Sequence, residues 1–166
     1  TFLAARPEVK LRAMLEIAQS LGKSVSIDDV LPKLLDSLFK IFIQADRGFI
    51  VLKEGDSGRL IPRAVKHRRD DDNRSIRISR TVVGQAMSTG EAILSADAAS
   101  DERFNMAQSI ADFHIRSMMC VPLVDSDGES LGVIQIDTLD QRSRFTAEDL
   151  EVLVSVASQA AIAVEN

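Results

Sequence analysis

The sequence has one cysteine, Cys120, in 166 residues, which leaves no second thiol for an intrachain disulfide. A reducing, cytoplasmic setting is the expectation. No apolar run approaches the ~18–20 residues that cross a bilayer, and the first residues lack the basic-then-apolar order of a secretory signal. Positive charge is also short, with 20 Lys and Arg against 25 Asp and Glu and a formal net charge of −5. Such a surface does not suit nucleic-acid phosphates or an anionic membrane, so neither is an expected partner. Internal repeats and low-complexity tracts are missing. There are two histidines: His67 sits beside Arg68 and Arg69, and His114 stands alone. Neither has the Cys/His/Asp spacing of a zinc site, so no metal and no cofactor are expected.

What is present fits one domain with a substantial core, preceded by a helix. A chain of this size buries roughly 70% of its unfolded surface. Pro7 opens a helical pattern that runs to Leu21, with Leu11, Met14, Ala18 and Leu21 as its stripe and Gly22 beyond its last apolar residue. A second helix starts at Ser26, accommodates Pro32 in its opening turn, and continues through Leu34, Leu35, Leu38, Phe39 and Phe42. Next, Gly48–Leu52 and Arg59–Val65 flank a turn at 54–58, the pattern of a β-hairpin in which Pro62 marks an edge or a bulge.

The middle is less regular. A charged loop covers 66–74, a short strand 75–78, and a helix capped by Ser79 ends at Gly90; Ala92–Leu94 then reads as strand. Residues 95–115 are mixed, with a helix expected near Met106 to Phe113. Ser117–Val124 and Leu131–Asp137 form a second hairpin around the turn 125–128. Thr146 opens a terminal helix with Asp149 three residues on, a capping-box-like pair. Hairpin-length connections with helices at the ends predict an α/β (α+β) domain on an antiparallel sheet.

The segment 117–149, together with Thr81–Gly90, resembles the GAF domain, a small-molecule sensor and dimerisation module. The resemblance implies a central antiparallel sheet of about six strands. Terminal helices would lie on one face, with ligand-pocket loops and short helices on the other. It divides the chain into a linker and dimerisation helix over 1–24 and the domain with its signalling helix over 25–166. Arg6–Arg12 also resembles the linker helix of modules that follow a forkhead-associated domain in bacterial signalling proteins. Thr1 and Asn166 interrupt the chain rather than bound it, so neighbouring domains of a longer protein are expected.

The resemblance implies a pocket, and two segments bear on its ligand. Asp101–Asn105 resembles a segment bordering the pocket of cyclic-nucleotide GAF domains, which makes Arg103 and Phe104 candidates for holding a planar, anionic ligand. The same residues also read as a loop-to-helix junction in which Asp101 caps and Phe104 fills the core. The second segment is the family's Asn-Lys, Phe, Asp-Glu signature, represented here by Asp137, Thr138, Phe145, Asp149 and Leu150. Thr138 replaces the lysine, so no ion pair to Asp149 forms in that way, and Asp149 reads as a cap partner of Thr146. Strand parity places Val133, Gln135 and Asp137 on one face, and a buried glutamine needs partners. Ser117, Met119 and Val121 share a face whose orientation depends on register. The expected ligand-binding set is Arg103, Phe104, Phe113, Ser117, Gln135 and Asp137.

No catalytic constellation accompanies the resemblance, so the expected function is non-enzymatic sensing. Signals from an unidentified small molecule would pass through a helical dimer to an output domain. A ligand-free dimerising spacer is the alternative, and a GAF-fold methionine sulfoxide reductase is disfavoured because one strand cysteine supplies no resolving thiol. Cys120 also lacks the adjacent histidine of bilin attachment sites and reads as a core residue. The expected dimer is parallel, through Leu11, Met14 and Ala18 of the first helix and Leu150, Leu153, Ala157, Ala160 and Val164 of the last. Apolar residues off that seam, such as Val154 and Ile162, suggest a second buried contact.

Overall fold

In a computed structural model, the described residues are 7–22, 26–68, 80–95, 117–139 and 144–165. Their order is α1 (Pro7–Gly22), α2 (Ile27–Ile41), β1 (Arg47–Glu54), a 3₁₀ turn, β2 (Arg59–His67), α3 (Arg80–Thr89), β3 (Ile93–Ser95), β4 (Ser117–Val124), β5 (Ser130–Thr138) and α4 (Ala147–Glu165). The strands form one antiparallel sheet in the order β2-β1-β5-β4-β3. Five strands are thus described, against the six or so expected. The expected strand 75–78 and the helix near Met106 lie outside the described residues. His67 closes β2 opposite Arg47 instead of lying in a loop.

Proline falls where the sheet tolerates it. Pro62 lies on the edge strand β2 at a bulge: Ile50 pairs with Ala64 and Val51 with Pro62, leaving Arg63 without an opposite residue. Pro122 pairs with Val133 on one side, and β3 reaches only Met118 to Cys120 on the other. Its missing N–H therefore lies beyond the short strand.

Helices α1, α2 and α4 share one face of the sheet, and α3 covers the other. Ser26 caps α2 by accepting from the Asp28 N–H at 3.3 Å. Arg68 anchors the other end of α2, donating to the carbonyls of Phe39, Phe42 and Ala45 while its guanidinium lies over the Phe39 ring. Close approach of backbone is required at Gly132, where a Cβ would collide with the Val51 carbonyl.

The helix stripes correct the expected dimer seam. Leu153, Ala157 and Ala160 are buried within the single chain together with Val156 and Ala161, because the small alanines let α4 settle close to β4. They form the core stripe of α4 and are unavailable to a second copy. On α1, Ala13 and Ile17 are buried, Met14 is half-buried, and Leu11 and Ala18 are exposed. Leu150 and Val164 are half-buried. Among the described residues, the large apolar side chains left in solvent on these helices are Val9, Leu11, Leu15, Val154 and Ile162, with Leu11 at 61% and Ile162 at 62% exposure. Among the described residues no helix is long and apolar enough to cross a membrane.

Candidate functional site

Period-two alternation puts Arg47, Phe49 and Val51 of β1 on the α3 side of the sheet. Their partners on β5 are Asp137, Gln135 and Val133. On β4, Met118 stands opposite Asp137 and Cys120 opposite Gln135. Phe49, Val51, Met118, Cys120 and Val133 pack with Val82, Val83 and Ala86 of α3 into an apolar layer. Set into this layer are three polar side chains, Arg47, Gln135 and Asp137, each at most 6% exposed.

The three are bonded to one another. Arg47 Nε donates to Asp137 Oδ1 at 3.2 Å and Oδ2 at 3.1 Å, and Arg47 Nη2 donates to Oδ2 at 2.7 Å. Gln135 Nε2 adds a bond to Oδ2 at 3.2 Å. The guanidinium also lies 5.8 Å from the Phe49 ring centroid. Burial pushes the Asp137 pKa above its ordinary value, against the lowering pull of the Arg47 charge and of the bonds from Arg47 and Gln135. The contacts to the carboxyl are all from donors, so the cluster is built around an acceptor-only, ionised Asp137. Gln135 Oε1 is buried with no hydrogen-bond partner among the described residues.

Backbone bonds brace this end of β5. Asp46 N–H donates to the Asp137 carbonyl at 2.9 Å, and Asp46 Oδ2 accepts from the Thr138 hydroxyl at 3.0 Å and the Leu139 N–H at 2.7 Å. Thr138 therefore secures the strand end. Asp149 behaves as the sequence predicts: its carboxylate accepts from Thr146 N–H at 2.9 Å while Thr146 Oγ1 accepts from Asp149 N–H at 3.2 Å. Gln44 Nε2 also donates to Asp149 at 3.3 Å.

Of the expected ligand-binding residues, the structure brings together Gln135 and Asp137. Ser117 pairs with Thr138, which turns it to the helical face. There its hydroxyl donates to the Ser95 carbonyl at 3.0 Å and accepts from Phe145 N–H at 3.1 Å, so it ties β3 to the entry of α4. This corrects its grouping with Gln135. Arg103, Phe104 and Phe113 lie outside the described residues. Sequence reading missed Arg47, because the strand was started one residue late at Gly48. Its parity with Phe49 was the available signal, since a buried Asp137 calls for a cation on the neighbouring strand.

Cys120 is fully buried on the α3 side, and burial, with a further contribution from the Asp137 charge, pushes its thiol up to about 12. It is held as a thiol and has little nucleophilic character. No group of three metal-ligating side chains occurs among the described residues. A separate cleft of about 430 Å³ opens at the other end of the sheet, lined by Ile27, Leu52, Lys53, Gly55, Arg63, Leu131 and Val164, away from the polar cluster.

Comparison with known proteins places this geometry. A dual 3′,5′-cyclic-AMP and -GMP phosphodiesterase 11 from Drosophila melanogaster is 23% identical over 167 residues, covering 91% of this chain and 11% of its own length. The GAF domain of an Acinetobacter phosphoenolpyruvate-protein phosphotransferase superposes with a TM-score of 0.74 at 20% identity, covering 96% of this chain and 95% of that one. A free methionine-R-sulfoxide reductase from Neisseria meningitidis, solved with its substrate, gives a TM-score of 0.74 at 18% identity, covering 99% and 94%. At these identities the solved structures establish a shared fold. The family model for the GAF domain matches residues 24–165, and the chain belongs to the GAF domain family.

Proposed function

We propose that this domain is a non-enzymatic sensor that binds a small molecule on the α3 side of its sheet. It passes the change through paired terminal helices to neighbouring domains of a longer, cytoplasmic protein. One observation carries the reading: Arg47, Gln135 and Asp137 form a buried polar cluster in an otherwise apolar layer, at the strand end that leads into α4. Fold stability does not require such a cluster, since apolar side chains of similar volume serve a core as well or better. The phosphodiesterase relative makes cyclic nucleotides the first compounds to try. Thr138, engaged by Asp46, argues against their being the ligand, because it stands where the cyclic-nucleotide signature has lysine.

Thermal shift against cyclic nucleotides, purines, amino acids and small carboxylates tests this reading. A compound present at a hundred times its Kd stabilises the native state by ~2.7 kcal/mol, a shift of several degrees. A panel without any shift supports the ligand-free spacer instead. Micromolar binding of cyclic AMP or cyclic GMP would reverse the weight placed on Thr138.

Two further parts of the proposal have their own tests. Exposed Leu11, Leu15, Val154 and Ile162 support a parallel homodimer through the outer sides of α1 and α4. Leu15→Glu should yield a folded monomer by light scattering, and a wild-type chain that is monomeric at high micromolar concentration rejects the dimer. The buried, protonated Cys120 supports a non-enzymatic role. Turnover of free methionine sulfoxide that disappears in Cys120→Ser would make the domain a reductase.

A further inference from the structure

Resting on that reading of the α3 side, we infer that the ligand is a neutral, planar N–H donor, such as a carboxamide, lactam or imide ring, whose donor meets Gln135 Oε1. Simple anions are then poor ligands for this site. Asp137 sets the geometry. Its two oxygens receive N–H groups from Arg47 and from Gln135, at distances of 2.7 to 3.2 Å. An acceptor-only carboxylate fixes the orientation of the neighbouring amide, because only the nitrogen of Gln135 can face it. The amide oxygen must therefore point away from Asp137.

That oxygen is buried in a residue 2% exposed, with no donor among the described residues. A buried carbonyl left in this state is costly and gains the most from a molecule that brings an N–H. Charge selects in the same direction. Asp137 already answers the Arg47 guanidinium, so the cluster is close to neutral. A phosphate or carboxylate placed here would be buried beside a carboxylate without a cation of its own. Phe49 and Cys120 flank Gln135 on the neighbouring strands and Met118 stands opposite Asp137, all fully buried, so the carbonyl has an apolar setting.

The test uses paired probes in which N-methylation removes the N–H donor. The ¹⁵N-labelled domain is titrated with nicotinamide and uracil, with N,N-dimethylnicotinamide and 1,3-dimethyluracil as blocked counterparts, and with inorganic phosphate. Backbone amide resonances of Cys120, Gln135 and Asp137 should shift with at least one N–H probe. Its methylated counterpart should bind roughly tenfold more weakly. Gln135→Met should abolish that difference without loss of the folded spectrum. The comparison is complete on the wild-type chain, so the inference stands or falls even where the variant does not fold. Equal affinity within a pair, or tighter binding of phosphate at these resonances, overturns the inference while leaving the α3 side as a ligand site. Absence of any shift at these resonances with every probe overturns both.

Discussion

The two sides of this sheet are built on different principles. Beneath α1, α2 and α4 the core is a continuous apolar body of Leu, Ile, Phe, Val and Ala, and every helix contributes a stripe at three- and four-residue spacing. Beneath α3, among the described residues, the apolar layer is smaller, its cover is a ten-residue helix, and an ion pair with an amide sits inside it. The first side gains stability from the apolar groups it buries, and its polar side chains such as Ser117 serve at strand ends. The second gives up some of that gain to hold charged groups in fixed positions, and this is the side to which the sensing reading assigns recognition.

The most damaging test of this contrast is Leu153→Glu on the helical side. It removes a fully buried side chain and puts a carboxylate with no cation in its place, so a loss of at least ~4 kcal/mol and an absent or much lowered melting transition are expected by circular dichroism. Under the expected dimer seam the same change would have given a folded monomer. A folded, monomeric Leu153→Glu protein would restore that seam.

On the α3 side, Asp137→Asn should cost about 3 kcal/mol at neutral pH in urea unfolding, because the Arg47 charge stays buried without its counter-charge. The double change Arg47→Met with Asp137→Leu should recover most of this loss. A pair of equal and additive costs would refute the division between the two sides.

The smallest expected effect is at the entry of α4. Thr146→Ala removes one half of the reciprocal cap and should lower stability by ~1 kcal/mol without altering the environment of Gln135. A large change in the Gln135 resonance would couple the two sides more tightly than their bonds indicate.

The elements were legible where a local rule acts alone. Ser26, Pro62, Gly90 and the Thr146–Asp149 pair each mark a boundary through chemistry contained within a few residues, and the structure has a cap, a bulge or a helix end at each. Gln135 and Asp137 were legible as neighbours because parity is also local. Ser117 was not, since its side depends on pairing with Thr138, which is a property of two strands. The α4 stripe misled for a related reason: Leu153, Ala157 and Ala160 have the spacing of a coiled coil, and the same spacing serves a helix lying on a sheet. Spacing identifies a buried stripe without naming what buries it.

Ser117 has a mechanical consequence. Its hydroxyl is bonded at once to β3 and to the residue before the cap of α4, and Thr138, opposite it, adjoins Asp137. Alpha-helical rise makes the 19 residues of α4 about 28 Å long, so a tilt of about 5° at its first turn carries its far end roughly 2.5 Å. On the proposed sensing reading the terminal helix would serve as a pointer pivoted beside Ser117, and the Ser126 hydroxyl bonded to Glu165 at its far end would register the step.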